Sequence, residues 1–352
     1  MELYRLSYDF TIDAVIEDYE SYIWTERWGR HGDLKLIMPE NYRVTTNLKN
    51  YQYYGLSESK SVMMRETLDR PDQTPGADKI TVSGNSLEAF FKNRSDKYNN
   101  KRNDQTVYQR YGPLIRSLID YNCIDPDFAG EKDLIPQLEV GYVTDYGPIV
   151  KVVLERGNIY DNAAALAKLG NVDFKIRRTD EPDRLILDIL GPFDRSDPTS
   201  SVFREYSLDS GNLIEVNTVE SIANYKNHAR VLGKKTGVDV YLPETDENVN
   251  GFDRRTLLLE FNDIGDDTTT EAEDKLKLSQ KGMEALLEEN NRYIYAIDGA
   301  IPQNAWNDTY FNLGDIVMVR DTFGRRVKSQ ITEVIYSSDS TGQKIYPTFE
   351  AV

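Results

Sequence analysis

The sequence has little cysteine and little histidine: a single cysteine, Cys123, and two histidines, His31 and His228, in 352 residues. One cysteine cannot form an internal disulfide, so packing alone must hold the chain together, and we interpret Cys123 as a small buried side chain in a helix. Two histidines are too few for an HExxH motif or a histidine-rich zinc site. The sequence therefore predicts no metal site, and it contains no cofactor motif.

Long apolar runs and an excess of positive charge are also missing. The chain has no run of about 18 apolar residues, and its first residues, "MELYRLSYDF", lack the basic and apolar regions of a signal peptide. We therefore expect a protein that is made in a cytoplasm and is not inserted into a membrane. Because 59 acidic residues outnumber 42 basic ones, the net charge of −17 argues against a protein that neutralises nucleic-acid phosphates.

Motifs for catalysis are absent as well. The stretch "GKKTG" from Gly233 resembles a phosphate-binding loop, but His228 stands where such a loop needs glycine, so we interpret it as a basic hairpin turn. The stretch "SGNSLEA" is not a nucleophile elbow, because Leu87 and Glu88 follow its second serine. With 59 acidic side chains, some pair lies at glycosidase spacing by chance. We assign no catalytic, cofactor-binding or metal-ligating residue.

The stretch "YIWTERWGRHGDLKLIMP" predicts a β-hairpin. Apolar and aromatic side chains recur at every second position on both sides of a glycine-containing turn, at Tyr22, Trp24, Trp28, Leu34, Leu36 and Met38. Pro39 ends the pattern. We predict that Trp24 and Trp28 share a face that covers a barrel core or a subunit contact, and that His31 is solvated in the turn.

The first half of the chain mixes strands with short helices. The segment "KITVSGNSLEAFFKNR" changes from strand to helix period, with Asn85 as the predicted cap and Glu88 at capping-box spacing. A second helix is predicted to start near Pro113. A third, "DNAAALAKLG", has Asp161 as its predicted cap and Gly170 as its end, and two strands, "VDFKIRR" and "RLILDIL", follow.

The last helix, "TEAEDKLKLSQKGMEALLEEN", has Thr270 and Glu273 at capping-box spacing. Its predicted apolar face consists of Ala272, Leu276, Met283, Leu286 and Leu287. The acidic stretch from Asp263 to Asp274 lacks EF-hand spacing, so we interpret it as a solvated loop that leads into this helix, with a calcium site as the alternative. A C-terminal hairpin around Gly314 is predicted to close a β-barrel domain with the N-terminal strands.

Together these patterns predict a strand-rich α+β fold. The length favours two or three domains, and we place them at 1–125, a β-rich domain with short helices, at 126–245, an α+β middle with a boundary near Pro126, and at 246–352, a helix followed by barrel-completing strands. We expect β-barrel-like domains at the ends of the chain and a mixed α+β region between them.

Four segments in this order resemble siphophage tail hub proteins of the Gp37-like group of minor tail proteins. They are the strand ending in "GDLKLIMP", the strand-to-helix "DKITVSGNSLEAFFKNR", "NLIEVNTVESIANYKNHARVLGK", and the last helix with "YFNLGDIVMVRDTFGRRVKSQITEVIYS". The resemblance covers Tyr4 to about Pro347. It implies a homotrimeric ring at the distal end of the tail tube, in which two barrel-like domains per chain give pseudo-sixfold symmetry.

The resemblance also implies partners and a location. The expected partners are the distal tail protein ring, the tape measure protein and the tip or receptor-binding proteins, and the expected location is the virion tail tip. DNA would pass through the channel without specific binding, since acidic walls offer no counterion-release gain. The chain stops at Val352, and we expect no peptidase, lytic or carbohydrate-binding extension. The tyrosines of "YQYYG", Tyr51 to Gly55, are predicted contributors to subunit contacts.

A second hypothesis comes from a different class. The chain could instead act as a cell-wall hydrolase or a carbohydrate-binding component of the tail tip, with carboxylates that the sequence does not single out. Activity on isolated cell walls would favour this alternative, and a trimer that leaves peptidoglycan intact would favour the hub.

Overall fold

The computed structural model describes residues 1–39, 52–69, 79–95, 106–125, 133–153, 157–265, 269–288, 291, 293–302 and 312–352. The predicted boundary near Pro126 lies outside these ranges, as does Tyr51.

The strands are β1 Leu3–Leu6, β2 Ile12–Val15, β3 Ser21–Arg27, β4 Arg30–Pro39, β5 Tyr53–Leu56, β6 Ser59–Asp69, β7 Lys79–Ser86, β8 Thr106–Gln109, β9 Leu138–Val143, β10 Val150–Val153, β11 Asp173–Arg178, β12 Leu185–Leu190, β13 Glu205–Tyr206, β14 Ile214–Ser221, β15 His228–Gly233, β16 Gly237–Tyr241, β17 Thr256–Phe261, β18 Ile294–Ala300, β19 Ile316–Arg320, β20 Arg326–Asp339 and β21 Gly342–Ala351. The α-helices are α1 Tyr111–Ile119, α2 Ile159–Gly170 and α3 Glu271–Leu286, with 3-10 helices at Leu87–Asn93 and Gly251–Asp253 and a π-helical turn at Asp120–Ile124. The fold is strand-rich α+β, as predicted.

Sixteen of the described strands form one sheet. Its main path runs β14-β18-β21-β20-β3-β4-β7-β6-β11-β12-β9, and β1, β2, β5, β13 and β19 branch from it. The path does not return on itself, so the described strands form no closed barrel. The sheet curls around a first hydrophobic core instead. This core brings Leu3 and Tyr54 of the β1–β5 branch together with Ile297 of β18 and Val317 of β19.

The predicted hairpin is β3 and β4. Its alternating apolar side chains, Tyr22, Trp24, Leu34, Leu36 and Met38, are all buried in the first core. The pairing register shifts between Thr25 and Arg27, and the turn falls on Trp28 and Gly29, which has φ +69°. The prediction that the two tryptophans share a face is therefore wrong for Trp28, because the register shift and the turn break the alternation before it.

The two ends of the chain meet in this sheet. Tyr336 of β20 pairs with Trp24 of β3, and the N-terminal ammonium donates to Gln343 Oε1 at 2.8 Å. The predicted proximity of the termini is confirmed. The strand pairing differs from the predicted one. The hairpin strand β19 pairs with β20 and, in parallel, with β13, and it is β20 that pairs with the N-terminal strand β3.

A second core lies between the helices and strands β11 and β12. Helix α1 buries Leu114, Ile115, Leu118 and Ile119, and Cys123 is buried in the following π-helical turn, as expected for a small apolar side chain. In α2 the cap is Asn158, whose side chain accepts from the Asp161 N–H, so the prediction that Asp161 is the cap is wrong. Asn158 lies just outside the apolar pattern and has the extended backbone that a cap needs.

The predicted cap of the short helix after β7 is also wrong. Residues Leu87–Asn93 form a 3-10 helix that follows Ser86, and the Ser86 hydroxyl accepts from the Gly32 N–H instead of capping the helix. Glu88 is fully buried, and its Oε1 accepts from the Ile176 N–H at 2.5 Å. Its carboxylate therefore serves a neighbouring strand and no capping box.

A third core joins α3 to a separate sheet of the order β16-β15-β17. The predicted capping box of Thr270 and Glu273 is present. The buried stripe of α3 is Asp274, Leu278, Gly282 and Leu286, and Ala272 is exposed. The predicted face is confirmed at Leu286, which is buried, and at Met283 and Leu287, which pack against the third core. Asp274 and Gly282 were missed because neither is an apolar residue. Among the described helices, none is long and apolar enough to span a membrane.

Candidate functional site

A group of polar contacts holds the β3–β4 turn. We call it the turn junction: the backbone of Arg27–Arg30 together with the side chains of Asn171, Asp173 and Lys175. Asp173 Oδ1 accepts from the Gly29 N–H at 2.8 Å. Lys175 Nζ donates to the carbonyls of Arg27 and Arg30 at 2.8 and 3.1 Å. Strand β11 therefore satisfies a turn whose backbone groups would otherwise lack partners.

Trp28 fixes the turn junction from the other side. Its Nε1 donates to Asn171 Oδ1 at 2.8 Å, and Asn171 has φ +47° at the end of α2. The Trp28 ring also lies against Gly314, where an added Cβ would approach the ring to 2.0 Å. Because Gly314 begins the C-terminal strands, one aromatic side chain connects the hairpin, α2 and the C-terminal region.

Burial dominates the electrostatics of the turn junction. Burial raises the pKa of Asp173 to about 6, although the Lys175 charge and the Gly29 N–H act in the opposite direction. Burial lowers the pKa of Lys175, but the charges of Asp173 and Glu88 outweigh it, and the net shift is upward. Asp173 Oδ2 and Glu88 Oε2 are buried without a hydrogen-bond partner among the described residues. We interpret the junction as structural, because Asp173 Oδ1 and Lys175 Nζ both bond to backbone groups of the turn.

His31 lies on β4 beside this junction and is half-buried, so the prediction of a solvated turn residue is wrong. Its Nε2 lies 2.8 Å from Lys92 Nζ, and its backbone N–H donates to the Tyr160 hydroxyl at 3.1 Å. Burial lowers the pKa of His31, and the nearby Lys92 charge adds to this. The ring is therefore neutral at physiological pH.

His228 lies in the separate three-stranded sheet and is fully buried. Its Nδ1 is 2.9 Å from Thr256 Oγ1, and its Nε2 is 3.0 Å from both Asp239 Oδ1 and an Arg254 nitrogen. Burial lowers the pKa of His228, against the Asp239 hydrogen bond. Thr256 faces His228 directly across the strand pair, so we interpret these contacts as cross-strand packing.

The remaining candidates from the sequence do not gather into a site. Strand β15 ends at Gly233 and β16 begins at Gly237, so "GKKTG" is a hairpin turn as predicted. No group of three or more His, Cys, Asp or Glu suited to a metal ion occurs within the described ranges. In the acidic stretch, Asp274 accepts from Thr269 Oγ1 at 2.7 Å, while residues 266–268 lie outside the described ranges, so the calcium alternative stays a prediction.

The "YQYYG" tyrosines were predicted to contribute to subunit contacts, and the structure does not support this role for Tyr54. Tyr54 is buried in the first core, and its hydroxyl has no hydrogen-bond partner among the described residues. It therefore cannot offer the free surface that a subunit contact needs. Tyr53 is half-buried and packs against Phe10, with ring centroids 5.0 Å apart.

The turn junction was not predicted from the sequence, although its residues follow a strand pattern. In "NVDFKI", Asn171, Asp173 and Lys175 alternate with buried Val172 and Phe174. That pattern predicts a strand with one polar face, and polar faces usually meet water. Nothing in the sequence indicates that this face meets the backbone of a turn about 145 positions earlier, which the Lys175–Arg30 contact spans.

Comparison with known sequences gives a family. The profile of the family described as "Siphovirus ReqiPepy6 Gp37-like protein" matches residues 1–349. No curated protein sequence matches the chain.

Several solved structures have a similar fold. The tail protein from Neisseria meningitidis MC58 superposes with a TM-score of 0.56 at 11% identity, covering 99% of this chain and 95% of that one. The 43 kDa tail protein of prophage MuSo2 from Shewanella oneidensis gives 0.55 at 14%, covering 99% and 97%. Prophage tail protein gp18 from Listeria monocytogenes EGD-e gives 0.52 at 10%, covering 99% and 94%. These likenesses establish a shared fold along the chain.

Proposed function

This chain belongs to the Siphovirus ReqiPepy6 Gp37-like protein family, and from this membership we propose that it is the hub of a phage tail tip. The hub forms a ring at the distal end of the tail tube and connects the distal tail protein ring to the tip or receptor-binding proteins. The observation that carries the proposal is the family match over 1–349, together with the fold shared with the three solved tail proteins.

The ring is proposed as a homotrimer. Two features of the described structure support a rigid ring subunit: the β3–β20 pairing joins the two ends of the chain, and the turn junction ties that sheet to the second core. The curled sheet around the first core is the proposed barrel-like element. The division into domains at 1–125, 126–245 and 246–352 stays part of the proposal.

The ring encloses a channel for DNA ejection in this proposal. A net charge of −17 suits such a channel, because acidic walls release no counterions from DNA and so do not retain it. The tape measure protein would occupy or adjoin the channel before ejection. The hub then acts as a conduit with no nucleic-acid site.

We propose no enzymatic role. The charged groups of the turn junction are engaged with backbone groups, and the His228 contacts follow from strand pairing. The hydrolase alternative predicts loss of cell-wall digestion when one Asp or Glu is replaced. Incubation of the purified chain with isolated host cell walls tests this, and we expect no release of soluble fragments.

Electron cryomicroscopy of the virion tail tip tests the hub directly. We expect three copies of the chain around the tail axis, immediately below the distal tail ring, with an open or plugged central channel. A copy number other than three, or a position along the tail tube or at its head-proximal end, would contradict the hub assignment.

A further inference from the structure

One apolar cleft of the described structure has no role in the proposed hub. It has a volume of about 610 Å³ and lies between the β1–β2 turn, the 3-10 helix Leu87–Asn93 and the start of β9. Ligand sites in proteins typically have a volume of about 300–1,000 Å³ and combine apolar walls with a few polar groups. This cleft meets both conditions, since most of its lining is aromatic or aliphatic and four side chains are polar.

Aromatic rings line the cleft from its mouth inwards. Tyr8 is 64% exposed, and its ring meets that of Tyr53 edge to face, with centroids 6.3 Å apart. Phe90 stands on another wall, with the Arg94 guanidinium 4.8 Å above its ring. An exposed tyrosine at the mouth of a cleft gives a ligand a flat apolar surface beside a hydroxyl.

The polar groups of the cleft are of both signs. They are two carboxylates, Asp9 and Asp183, one guanidinium, Arg94, and one amide, Gln137. Two adjacent turns carry the carboxylates, because the Asp183 N–H donates to the Asp9 carbonyl at 2.8 Å. The Nε atom of Arg94 is buried and has no hydrogen-bond partner among the described residues. Because that atom is buried, a ligand in the cleft meets the Arg94 guanidinium through its terminal N–H groups.

We propose that this cleft binds a neutral sugar ring. A ligand of either charge would meet a like charge among Asp9, Asp183 and Arg94, whereas a pyranose presents an apolar face to the aromatic walls. Its hydroxyl groups donate to carboxylates and accept from a guanidinium or an amide, which is the set of partners that the cleft provides. The inference does not depend on the hub assignment, because a hub or any other tail component can carry such a cleft.

Asp9 is held in place by its own turn and offers the cleft an acceptor. Asp9 accepts from the Thr11 N–H at 3.1 Å and from the Thr11 hydroxyl at 2.7 Å. Hydrogen bonds from Ser7 and Thr11 lower the pKa of Asp9, so this carboxyl stays ionised and cannot act as the protonated acid that glycosidases need.

The test is sugar binding by the full chain, measured by saturation-transfer NMR and calorimetry. The probes are four neutral sugars, glucose, galactose, N-acetylglucosamine and rhamnose, with glucuronate and glucosamine as charged comparators. We expect at least one neutral sugar to bind with a Kd on the order of 1 mM, and the charged sugars to bind more weakly. Absence of binding by all four neutral sugars, or preference for a charged one, would overturn the proposal.

Two variants locate the site, with a matched control. Tyr8→Ala should weaken sugar binding about two- to tenfold, since one aromatic contact is lost, while the melting temperature stays unchanged because Tyr8 is exposed. Arg94→Met removes the donors and keeps the apolar stem, and should also weaken binding. Tyr108→Ala removes a tyrosine that is 68% exposed and lies outside the cleft, and should bind as the wild type does. Equal binding by Tyr8→Ala and Tyr108→Ala would refute the assignment.

Discussion

Trp24 is the largest fully buried side chain of the described residues, and its environment makes a quantitative prediction possible. It is 0% exposed in the first core, and its Nε1 donates to Glu26 Oε1 at 3.2 Å. Trp24→Ala should lower the free energy of unfolding by about 3–5 kcal/mol, because it leaves a cavity in a packed sheet. Urea denaturation of the two proteins measures the difference.

The control is an aromatic residue in the opposite environment. Phe252 is fully exposed in the 3-10 helix Gly251–Asp253, so Phe252→Ala should change the free energy of unfolding by less than about 0.5 kcal/mol. If Trp24→Ala unfolded at the same urea concentration as Phe252→Ala, the core assignment of the hairpin would be wrong.

Asp173 predicts a pH dependence of stability. Its pKa is raised by burial from 3.8 to about 6, so the folded state binds the proton more tightly than the unfolded state does. The stability that this proton contributes is fully present below pH 3.8 and is lost as the pH rises through about 6. A shift of this size corresponds to at most about 3 kcal/mol.

The variant Asp173→Asn removes this titration and retains the carbonyl oxygen that accepts from the Gly29 N–H. We expect the free energy of unfolding of the variant, relative to the wild type, to rise between about pH 4 and pH 7. Denaturant titrations at several pH values give the two profiles. Parallel profiles across this range would mean that Asp173 does not titrate in the folded protein as its burial implies.

At the scale of elements, the turn that leads into β19 requires a glycine at position 314. Gly314 has φ +87°, and an added Cβ would approach the Trp28 ring to 2.0 Å. Gly314→Ala should therefore cost the backbone strain of roughly 1 kcal/mol plus about 1–3 kcal/mol for displacing the ring. Gly324 is the matched control, because it has φ +80° and no atom within 4 Å of the added Cβ.

Thermal unfolding of the two glycine variants separates these contributions. Gly324→Ala reports backbone strain alone, so the additional loss in Gly314→Ala measures the contact of Trp28 with the C-terminal region. Equal losses would show that the hairpin turn can move away from Gly314 at no cost, which would contradict the interpretation of the turn junction as a fixed connection.

Elements were predictable from the sequence where their pattern is local. The β3–β4 hairpin, α1 and the Thr270 capping box follow from spacing over a few residues, and all are present. Caps were mislocated by one to three positions, as with Asn158, because several polar residues near a helix start can serve and only the backbone angle decides among them.

Contacts distant in sequence were not predictable. Asp173 and Lys175 are polar residues of a short strand, and their partners are backbone groups of the β3–β4 turn, which carry no sequence signal. The aromatic cleft combines Tyr8, Phe90 and Asp183 from three regions of the chain. Period and composition specify which faces are apolar, but they do not specify which faces meet.

At the scale of the whole molecule, the family membership and the charge make opposing demands on assembly. A net charge of −17 repels other copies, whereas the proposed hub requires three copies in a ring. Assembly must then rest on large complementary surfaces, since repulsion between exposed charges is screened beyond about 8 Å at physiological salt. A duplex requires a channel on the order of 20 Å across, given the groove dimensions of DNA.

Salt distinguishes the two ways in which such a ring could be held. If packing drives the proposed trimer, raising the salt concentration should strengthen self-association or leave it unchanged, because screening weakens the repulsion. If surface ion pairs held it, added salt would dissociate it. Mass measurement of the purified protein, by light scattering and analytical ultracentrifugation across a salt series at several protein concentrations, distinguishes the two.

We expect a trimer whose fraction is constant or rises with salt. A stable dimer would contradict the hub, and a trimer that dissociates with salt would contradict its assembly by packing. A monomer under every condition would mean that the ring forms on the distal tail ring and not in solution.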